Sequence, residues 1–269
     1  MTKPADSQAT PAIAMVATSS ARLPSIPKIL QACGAAPQGK SGILGTLFSR
    51  KAFPANGPKW ENGSLVCELL DAQLAVALMP APIPWSSLEG PCATAWWWPD
   101  ATNAMRRHTN HFLVALIGGG IEAVERRLIL TKVVSAVTSD TDAVGVYWGD
   151  GTLVHEPRVF TQLAAKARNN NIPGPLWIDV RIERNDDGTL RCFTTGLAPL
   201  GFLEIEVERS DLSHGDLAGF VGDTACYIVN QRLQIPDGNT MGRTAEEMYL
   251  VRHGPSMFDR PPVMRLVMT

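Results

Sequence analysis

Residues 11–120 carry short apolar runs separated by polar or proline-containing segments. Apolar runs of roughly four to eight residues bounded by turn residues indicate strands, and apolar residues three and four positions apart indicate helices. The segment predicts the order β-α-β-β-α-β. Its elements are a strand at 12–18, a helix from Ser25 to about Gly34, a hairpin of strands 64–70 and 74–79, a helix at 100–107 and a strand at 111–117.

The clearest helical pattern in the chain covers residues 121–137. Apolar and small residues recur along one side of this helix, from Val124 through Leu128 to Ser135. We therefore assign residues 121–140 to a helix that connects two halves of the chain. The charged residues are predicted to lie toward the other side of the helix: Glu122, Glu125, Arg126, Arg127 and Lys132.

Residues 141–269 repeat the order of elements predicted for the first half. Asp187 and Gly188 lie in a short polar segment, and an Asp-Gly pair favours a tight hairpin turn. Pro157 suits the first turn of a helix. The predicted elements are a strand at 143–148, a helix at 157–167, a hairpin of strands 176–183 and 190–195, a helix at 211–229, and strands at 248–252 and 263–268.

These patterns predict an α+β protein. We expect two tandem ferredoxin-like halves packed as one compact unit, with antiparallel or mixed sheets and helices on one face. The halves are residues 11–120 and 141–269, joined by the helix 121–140. Residues 1–10 are expected to form a disordered tail, and residues 38–59 a long loop.

A short internal similarity bears on the relation between the halves. The segments 77–85 and 194–202 share an Ala-Pro pair, an aliphatic residue and an aromatic residue at an offset of 117, which pairs Ala81 with Ala198. Each segment directly follows the second strand of a predicted hairpin. The offset favours an internal duplication, although two identical residues in nine also arise by coincidence.

Composition places the chain among globular proteins. Of 269 residues, 45% are hydrophobic and 19% are charged, and 24 Lys and Arg against 26 Asp and Glu give a net charge of -2. A nucleic-acid-binding protein usually carries a basic surplus, and a disordered chain is poor in apolar residues. Both classes are therefore excluded.

The sequence also bears on the compartment. No apolar run approaches the roughly 18 residues that a membrane-spanning helix requires, and the first residues lack the pattern of a secretory signal peptide. The five cysteines are odd in number and never form a C-x-x-C pair, so neither a disulfide framework nor a zinc site is indicated. We expect a cytoplasmic protein that binds neither membranes nor nucleic acid.

Tryptophan is the most unusual part of the composition, with seven tryptophans against three tyrosines. Trp96, Trp97 and Trp98 are consecutive, and three adjacent side chains cannot all face one core. We therefore expect at least one of them to lie at an interface or to line a groove. Trp85 and Trp148 complete the set of candidate binding residues. The alternative is that the tryptophans fill the junction between the two halves.

A catalytic interpretation would use Asp150, His155, Glu156 and His253. His155 would act as a general base with a neighbouring carboxylate to orient it. The sequence identifies no nucleophile for this set and contains no G-x-S-x-G motif. In the structural alternative, Glu156 stabilises the start of a helix and His155 bonds a loop carbonyl. We assign no catalytic residue on these grounds, and a non-enzymatic protein is the preferred interpretation.

Two further motifs suggest ligands. His108 and His111 have a spacing that would place two imidazoles on one metal ion if a helix continued through them, but a predicted helix ends there and no further ligand motif accompanies them. Glycines 118–120 lie between a strand and a helix, as in a phosphate-binding loop. The full G-x-G-x-x-G pattern and the Walker lysine are absent, and Glu122 would repel a phosphate. We expect no metal and no cofactor.

Four strings carry a resemblance to a known family. They are VALMPAPIPW at 76–85, WWWP at 96–99, DAVGVYWG at 142–149 and TTGLAPLG at 194–201. With these strings the chain resembles the bacterial domain-of-unknown-function family 4261 over residues about 60–268. The resemblance implies a small cytoplasmic α/β protein that accompanies toxin and secretion loci and acts as an immunity partner. It implies no catalytic residues.

Two functions follow as hypotheses. The first is a non-enzymatic cytoplasmic protein that neutralises a toxin or secreted effector by direct binding. The alternative is a small-molecule sensor or hydrolase-like enzyme with a pocket between the two halves. The low charge content favours a partner that is recognised through apolar and aromatic surface.

Overall fold

The computed structural model describes residues 11–34, 57–69, 72–244 and 247–268. The chain divides into two compact units, the first ending at Ala167 and the second beginning at Arg168. Each unit contains one six-stranded sheet, so the fold is mixed α+β, as the sequence predicts. The expected tail at 1–10 and most of the expected loop at 38–59 lie outside the described residues.

The first unit is a sheet that carries helices on both faces. In chain order its elements are β1 (Ala12–Thr18), α1 (Ile26–Ala32), β2 (Ser64–Leu69), β3 (Ala72–Met79), α2 (Trp85–Thr94), α3 (Ala101–Met105), β4 (Asn110–Gly118), α4 (Ala123–Asp140), β5 (Ala143–Trp148), β6 (Leu153–His155) and α5 (Pro157–Lys166). The predicted strands and the hairpin of this region are confirmed.

The first sheet has the order β2-β3-β4-β1-β5-β6, and every neighbouring pair is antiparallel. The first strand of the chain therefore lies at the centre of the sheet, where Met15 is opposite both Leu113 of β4 and Tyr147 of β5. Since β4 and β5 both pair with β1, helix α4 connects two strands of one sheet. The division between the units lies at 167/168 and not within residues 121–140.

One face of the first sheet forms the core with α4. Ala14, Val114, Val76 and Leu65 lie side by side across β1, β4, β3 and β2, and all four are fully buried. Helix α4 packs against β1 and β4 above them. Burial of a continuous apolar row across four strands removes a large area from water, which is the main stabilisation of such a layer.

The expectation that Arg126 and Arg127 lie on the solvent side of α4 is wrong, because both are buried. Arg126 donates hydrogen bonds to the carbonyls of Leu116 and Gly119 at 3.4 and 3.1 Å. The Arg127 guanidinium forms an ion pair with Asp150 at 2.8 Å. Buried guanidinium groups are tolerated when hydrogen bonds and an opposite charge satisfy them, and apolar periodicity alone does not reveal such partners.

Helices lie on both faces of the first sheet, so the expectation of helices on one face is wrong for this unit. Gly145 of β5 faces α3, since the Met105 side chain and the Trp98 ring occupy the space that a side chain at 145 would fill. Trp148, three residues along the same strand, packs against Phe160 of α5 with ring centroids 6.3 Å apart. Residues three apart in a strand point to opposite faces.

The second unit is also built on a single sheet. Its elements are α6 (Gly174–Trp177), β7 (Asp179–Arg184), β8 (Leu190–Thr195), a 3-10 turn (Ala198–Leu200), β9 (Ile205–Ser210), α7 (His214–Gln231), β10 (Thr240–Met241), β11 (Tyr249–Gly254) and β12 (Val263–Val267). The strand order is β7-β8-β9-β12-β11-β10, in which β9 and β12 are parallel and the other pairs antiparallel. The predicted Asp-Gly hairpin, long helix and C-terminal strands are confirmed.

The turn after β8 explains part of the TTGLAPLG string. The Glu204 carboxylate accepts hydrogen bonds from the Thr194 hydroxyl at 2.7 Å and from the backbone N–H groups of Gly196 and Ala198, both at 2.9 Å. Gly196 has a φ of +112°, and a Cβ there would lie 2.1 Å from the carbonyl oxygen of Trp177. Only glycine fits this position, because it has no Cβ and tolerates positive φ.

The tandem ferredoxin-like arrangement is not confirmed. In a split β-α-β unit the two strands joined by the helix run parallel with one strand between them. In the first sheet β1 and β2 run antiparallel with two strands between them. The predicted first strand and helix of the second half, 143–148 and 157–167, belong to the first unit as β5 and α5.

Candidate functional site

The tryptophan segment 96–98 lies between α2 and α3 and passes from solvent into the core within three residues. Trp96 is 70% exposed, Trp97 is partly buried, and Trp98 is 8% exposed. Trp98 belongs to the apolar cluster beneath α2 and α3, together with Leu88 and Met105. The sequence prediction that the three rings do not share one environment is therefore confirmed.

Trp97 fixes the position of its exposed neighbour. Its indole Nε1 donates a hydrogen bond to the Val154 carbonyl at 3.1 Å. Its ring stacks on His155, with centroids 6.2 Å apart and planes at 26°, and meets Trp96 edge to face at 5.7 Å. His155 is itself buried at the end of β6. Trp96 thus projects into solvent from an anchored support, as an aromatic anchor of a binding surface does.

A shallow cleft of about 550 Å³ lies beside this segment. Trp98, Asp100 and Arg107 line one side of it, and Val144 and Glu156 line the other. The structure therefore brings together two of the sequence candidates, Trp98 and Glu156. Glu156 is exposed at the start of α5 and makes no side-chain capping hydrogen bond.

The remaining two tryptophans are placed differently. Trp85 is partly buried at the start of α2, and the Arg106 guanidinium lies 3.8 Å from the centre of its ring, in cation-π geometry. Trp148 is fully buried in β5. Trp85 therefore borders the cluster beneath α2, whereas Trp148 belongs to the core on the other side of the sheet.

An apolar surface that the sequence reasoning missed lies on the same face of the sheet as α2 and α3. Met15 packs against the cluster beneath these helices and is opposite Leu113, which in turn is opposite Ala77. Directly opposite residues share a face of a sheet. Helices α2 and α3 pack over β5 and β6. Toward β2 the same face is partly or largely exposed, and we call it the open face: Ile13, Met15, Val66, Ala75, Ala77, Leu113 and Ile117.

The open face differs sharply from the core face of the same strands. Val66 is 51% exposed and Ile117 42% exposed, whereas their neighbours Leu65 and Leu116 are fully buried. A strand with one buried face needs apolar residues only at alternate positions. The uninterrupted apolar runs at 74–79 in β3 and 112–117 in β4 were the sequence signal that the second face of these strands is also apolar.

The catalytic candidates are divided between the two units. Asp150 lies in the turn before β6, where its carboxylate is paired with Arg127, and His155 is buried at the opposite end of that strand. His253 belongs to the second unit, where its Nε2 lies 2.9 Å from the Ile235 carbonyl.

Cys92 and Ser256 have side chains of types that can act as nucleophiles, but their surroundings do not activate them. Burial raises the pKa of the Cys92 thiol to about 11, although the nearby Arg106 charge acts in the opposite direction. Cys92 is therefore a protonated thiol at neutral pH and not a reactive thiolate. The Ser256 hydroxyl donates to the Glu206 carboxylate at 2.5 Å and accepts from the Phe258 N–H at 3.0 Å. Ser256 therefore holds its own loop.

The histidine pair is satisfied by backbone groups. His108 accepts a hydrogen bond from the Ile83 N–H at 2.7 Å through Nε2, and its Nδ1 contacts the Met105 carbonyl. His111 Nδ1 lies 2.8 Å from the Ala81 carbonyl. Burial lowers the pKa of His111, with a smaller contribution from the His108 charge, while the bond to Ala81 opposes the shift.

Two further findings concern ligands and membranes. Across the described ranges, no three His, Cys, Asp or Glu side chains lie close enough together to hold a metal ion. In the same part of the chain, no helix has the length and apolar character needed to cross a bilayer. At the glycine loop 118–120, Arg126 donates to the Gly119 carbonyl, and the Glu122 carboxylate accepts the N–H of Glu125 at the start of α4.

Comparison with protein families gives one match. Residues 193–267 match the family described as Domain of unknown function (DUF4261). This confirms the resemblance seen in the sequence for a segment that begins in β8 and ends with β12. The comparisons with curated proteins and with solved structures each return no match.

Proposed function

We propose that this chain, whose residues 193–267 match a family of unknown function, is a non-enzymatic binding protein that recognises a protein partner through the open face and Trp96. The observation that carries the proposal is the open face itself. It is a mainly apolar sheet surface, with the exposed Gln73 and Glu68 beside Ile117 at one end, in a unit that has already built its core on the opposite face of the same strands. Large exposed apolar patches on a stable unit are typical of protein-protein interaction sites.

Two properties of the surface favour a protein over a small molecule. The open face extends over β1 to β4 as a sheet surface, and enclosed concave pockets are what small ligands require. Trp96 adds an aromatic anchor held by Trp97. Tryptophan is enriched among the few residues that dominate the binding energy of an interface.

The finer form of the proposal is an immunity function in the cytoplasm. In this form the partner is a toxin or secreted effector, and the chain neutralises it by covering its active surface. The support is the family resemblance, together with the pairing of the Asp150 carboxylate with Arg127 and the contact of His253 Nε2 with the Ile235 carbonyl. An apolar interface of this kind gives a tight complex whose affinity depends little on salt.

The test uses the protein encoded beside the gene for this chain as the partner. Both proteins are co-expressed, cell growth is followed, and the affinity of the purified pair is measured by calorimetry. The double substitution Val66→Glu and Ile117→Glu should weaken binding by roughly 100-fold or more, because two charges would be buried in an apolar interface. Trp96→Ala should weaken it by roughly 30-fold, the loss typical of a dominant aromatic residue.

A matched control separates the surface effect from the change in charge. Lys132→Glu lies on the exposed side of α4 and makes the net charge more negative by two, as the double substitution does. This control should bind and protect like the original chain. If the double variant protects as well as the original chain, the open face is not the binding surface. If the original chain neither binds nor protects, the immunity function is ruled out.

A further inference from the structure

A second surface of interest lies in the second unit, between helix α7 and the terminal strand β10. A cleft of about 500 Å³ separates the two elements. Phe220, Thr224 and Tyr227 line it from α7, and Thr240 and Met241 line it from β10. The α7 residues are four and three positions apart and therefore form one face of the helix.

Strand β10 is at the edge of its sheet. Thr240 is opposite Leu250 and Met241 is opposite Tyr249, so β10 pairs with β11 on one side. On its other side no strand lies within the described part of the chain. The edge of a sheet presents backbone N–H and C=O groups that pair readily with an added strand.

The cleft continues along α7 into a second, smaller one. Leu233 and Ile235 line both, and the second has a volume of about 290 Å³. Apolar side chains are left in solvent along this path, since Tyr227 is 50% exposed and Leu233 is 39% exposed. An extended peptide rises roughly 3.3 Å per residue, and a path of this kind suits several consecutive residues.

The charges around the cleft indicate the chemistry of the occupant. Arg243 is neutralised by Glu247, to which it donates two hydrogen bonds at 2.7 and 2.8 Å. Asp223 is exposed on the α7 wall of the cleft. Among the described residues Asp223 forms no salt bridge, so the wall carries a negative charge that favours a cationic side chain opposite it.

We propose that the cleft between α7 and β10 binds an extended peptide that adds a strand to β10, with apolar side chains at alternate positions against α7 and a lysine or arginine beside Asp223. Addition of a strand at a sheet edge provides affinity through backbone hydrogen bonds, and pockets for alternate side chains provide specificity. The juxtaposition of an open edge, an apolar helix face and one acidic residue is what this mode of recognition requires. The proposal is independent of the proposed function, because it uses neither the open face nor Trp96.

The test begins with selection of random heptapeptides displayed on phage against the immobilised full-length chain. We expect enriched peptides with apolar residues at positions i and i+2 and with one basic residue. Failure to enrich any peptide, or enrichment of acidic peptides, would overturn the proposal. The strongest peptide is then synthesised, and its binding is measured by fluorescence anisotropy.

Two protein variants and a modified peptide locate the binding site. Asp223→Lys should weaken binding of the basic peptide by roughly five- to tenfold. The same substitution should strengthen binding of a peptide in which glutamate replaces the basic residue. Methylation of alternate backbone nitrogens of the peptide should abolish binding, because those N–H groups pair with β10. Methylation of the other alternate set, which points away from β10, should be tolerated. Val66→Glu should leave binding unchanged. Binding that survives methylation of each of the two sets in turn, that is unaffected by Asp223→Lys or that is lost in Val66→Glu contradicts the proposal.

Discussion

The two units share one arrangement of strands and a long helix, but they differ in what covers one face of the sheet. In each, a hairpin is followed by a third antiparallel strand and then by an 18-residue helix, α4 in the first unit and α7 in the second. The offset of 117 aligns the second strands of the two hairpins, β3 and β8. The units differ on the sheet face that points away from the long helix.

In the second unit that face is covered by the loop between β11 and β12. The ring of Phe258 lies 4.5 Å from that of Phe193, and the Arg260 guanidinium lies 4.5 Å from the centre of the Phe193 ring. The buried Glu206 carboxylate holds the loop by accepting hydrogen bonds from Ser256 and Met257. The second unit thus completes its sheet with its own loop, whereas the first unit leaves an apolar surface. With the same arrangement of strands and long helix, this sheet face is covered in the second unit by the loop between β11 and β12 and is left exposed in the first unit.

The largest expected effect concerns the turns at the ends of the aligned strands. At the offset of 117, Gly196 corresponds to Met79, which is 41% exposed. Gly196→Ala should destabilise the second unit by about 3 kcal/mol or more, because a Cβ would clash with the Trp177 carbonyl at a positive φ. Met79→Ala should cost less than about 1 kcal/mol.

These free energies are measured by urea denaturation, with hydrogen exchange and mass spectrometry to report each unit separately. The rate of hydrogen exchange in peptides from the first unit serves as the internal control for Gly196→Ala. Similar losses from both substitutions would show that the two turns are equivalent and would remove this difference between the units.

A smaller effect is expected from uncovering the sheet face that the loop between β11 and β12 covers in the second unit. Phe258→Ala should destabilise the second unit by about 2 kcal/mol, because the substitution removes the partly buried Phe258 ring and its contact with the Phe193 ring. Val66→Ala on the open face should cost about 0.5 kcal/mol, since half of that side chain is already in solvent. The same denaturation experiment measures both. If Val66→Ala were as costly as Phe258→Ala, the open face would be part of the core.

The smallest effect is a difference in acid sensitivity. Burial lowers the pKa of His111, so the folded first unit resists protonation there while the unfolded chain takes up a proton near pH 6.5. The unfolded state then binds more protons, and the stability of the first unit should fall as the pH falls from 7 to 5. In the second unit both histidines, His214 and His253, are exposed.

The check is the stability of each unit measured across that pH range. His111→Gln retains a hydrogen-bond donor for the Ala81 carbonyl and should flatten the pH dependence of the first unit. An unchanged slope in this variant would assign the acid sensitivity to another group.

Much of the secondary structure could be predicted from the sequence, because apolar periodicity and turn residues are local signals. The hairpin at Asp187 and Gly188 and the long helix α7 are examples. The sheet assignment of residues 143–148 was not predictable in this way. Ala143–Trp148 joins the first sheet because it pairs with β1, and strand pairing over such a distance leaves no local pattern.

The candidate site shows the same limit. The tryptophan run predicted that at least one ring lies at an interface or lines a groove, and the structure leaves Trp96 exposed to solvent. The open face was not recognised, although β2 and β4 have apolar residues at both alternations, because the sequence does not show which face a helix will cover. The pairing of Arg127 with Asp150 similarly depends on tertiary contacts between α4 and the turn before β6.

The central position of β1 has a consequence for the order of assembly. This strand is synthesised well before both of its neighbours, β4 and β5, and the hydrogen-bonded pair Ser19 and Asp142 is 123 residues apart. A nascent chain must therefore hold an apolar strand without partners until β4 and β5 have been synthesised. Contacts of such long range close slowly, so the first unit depends on a late step that joins β1 to β4 and β5.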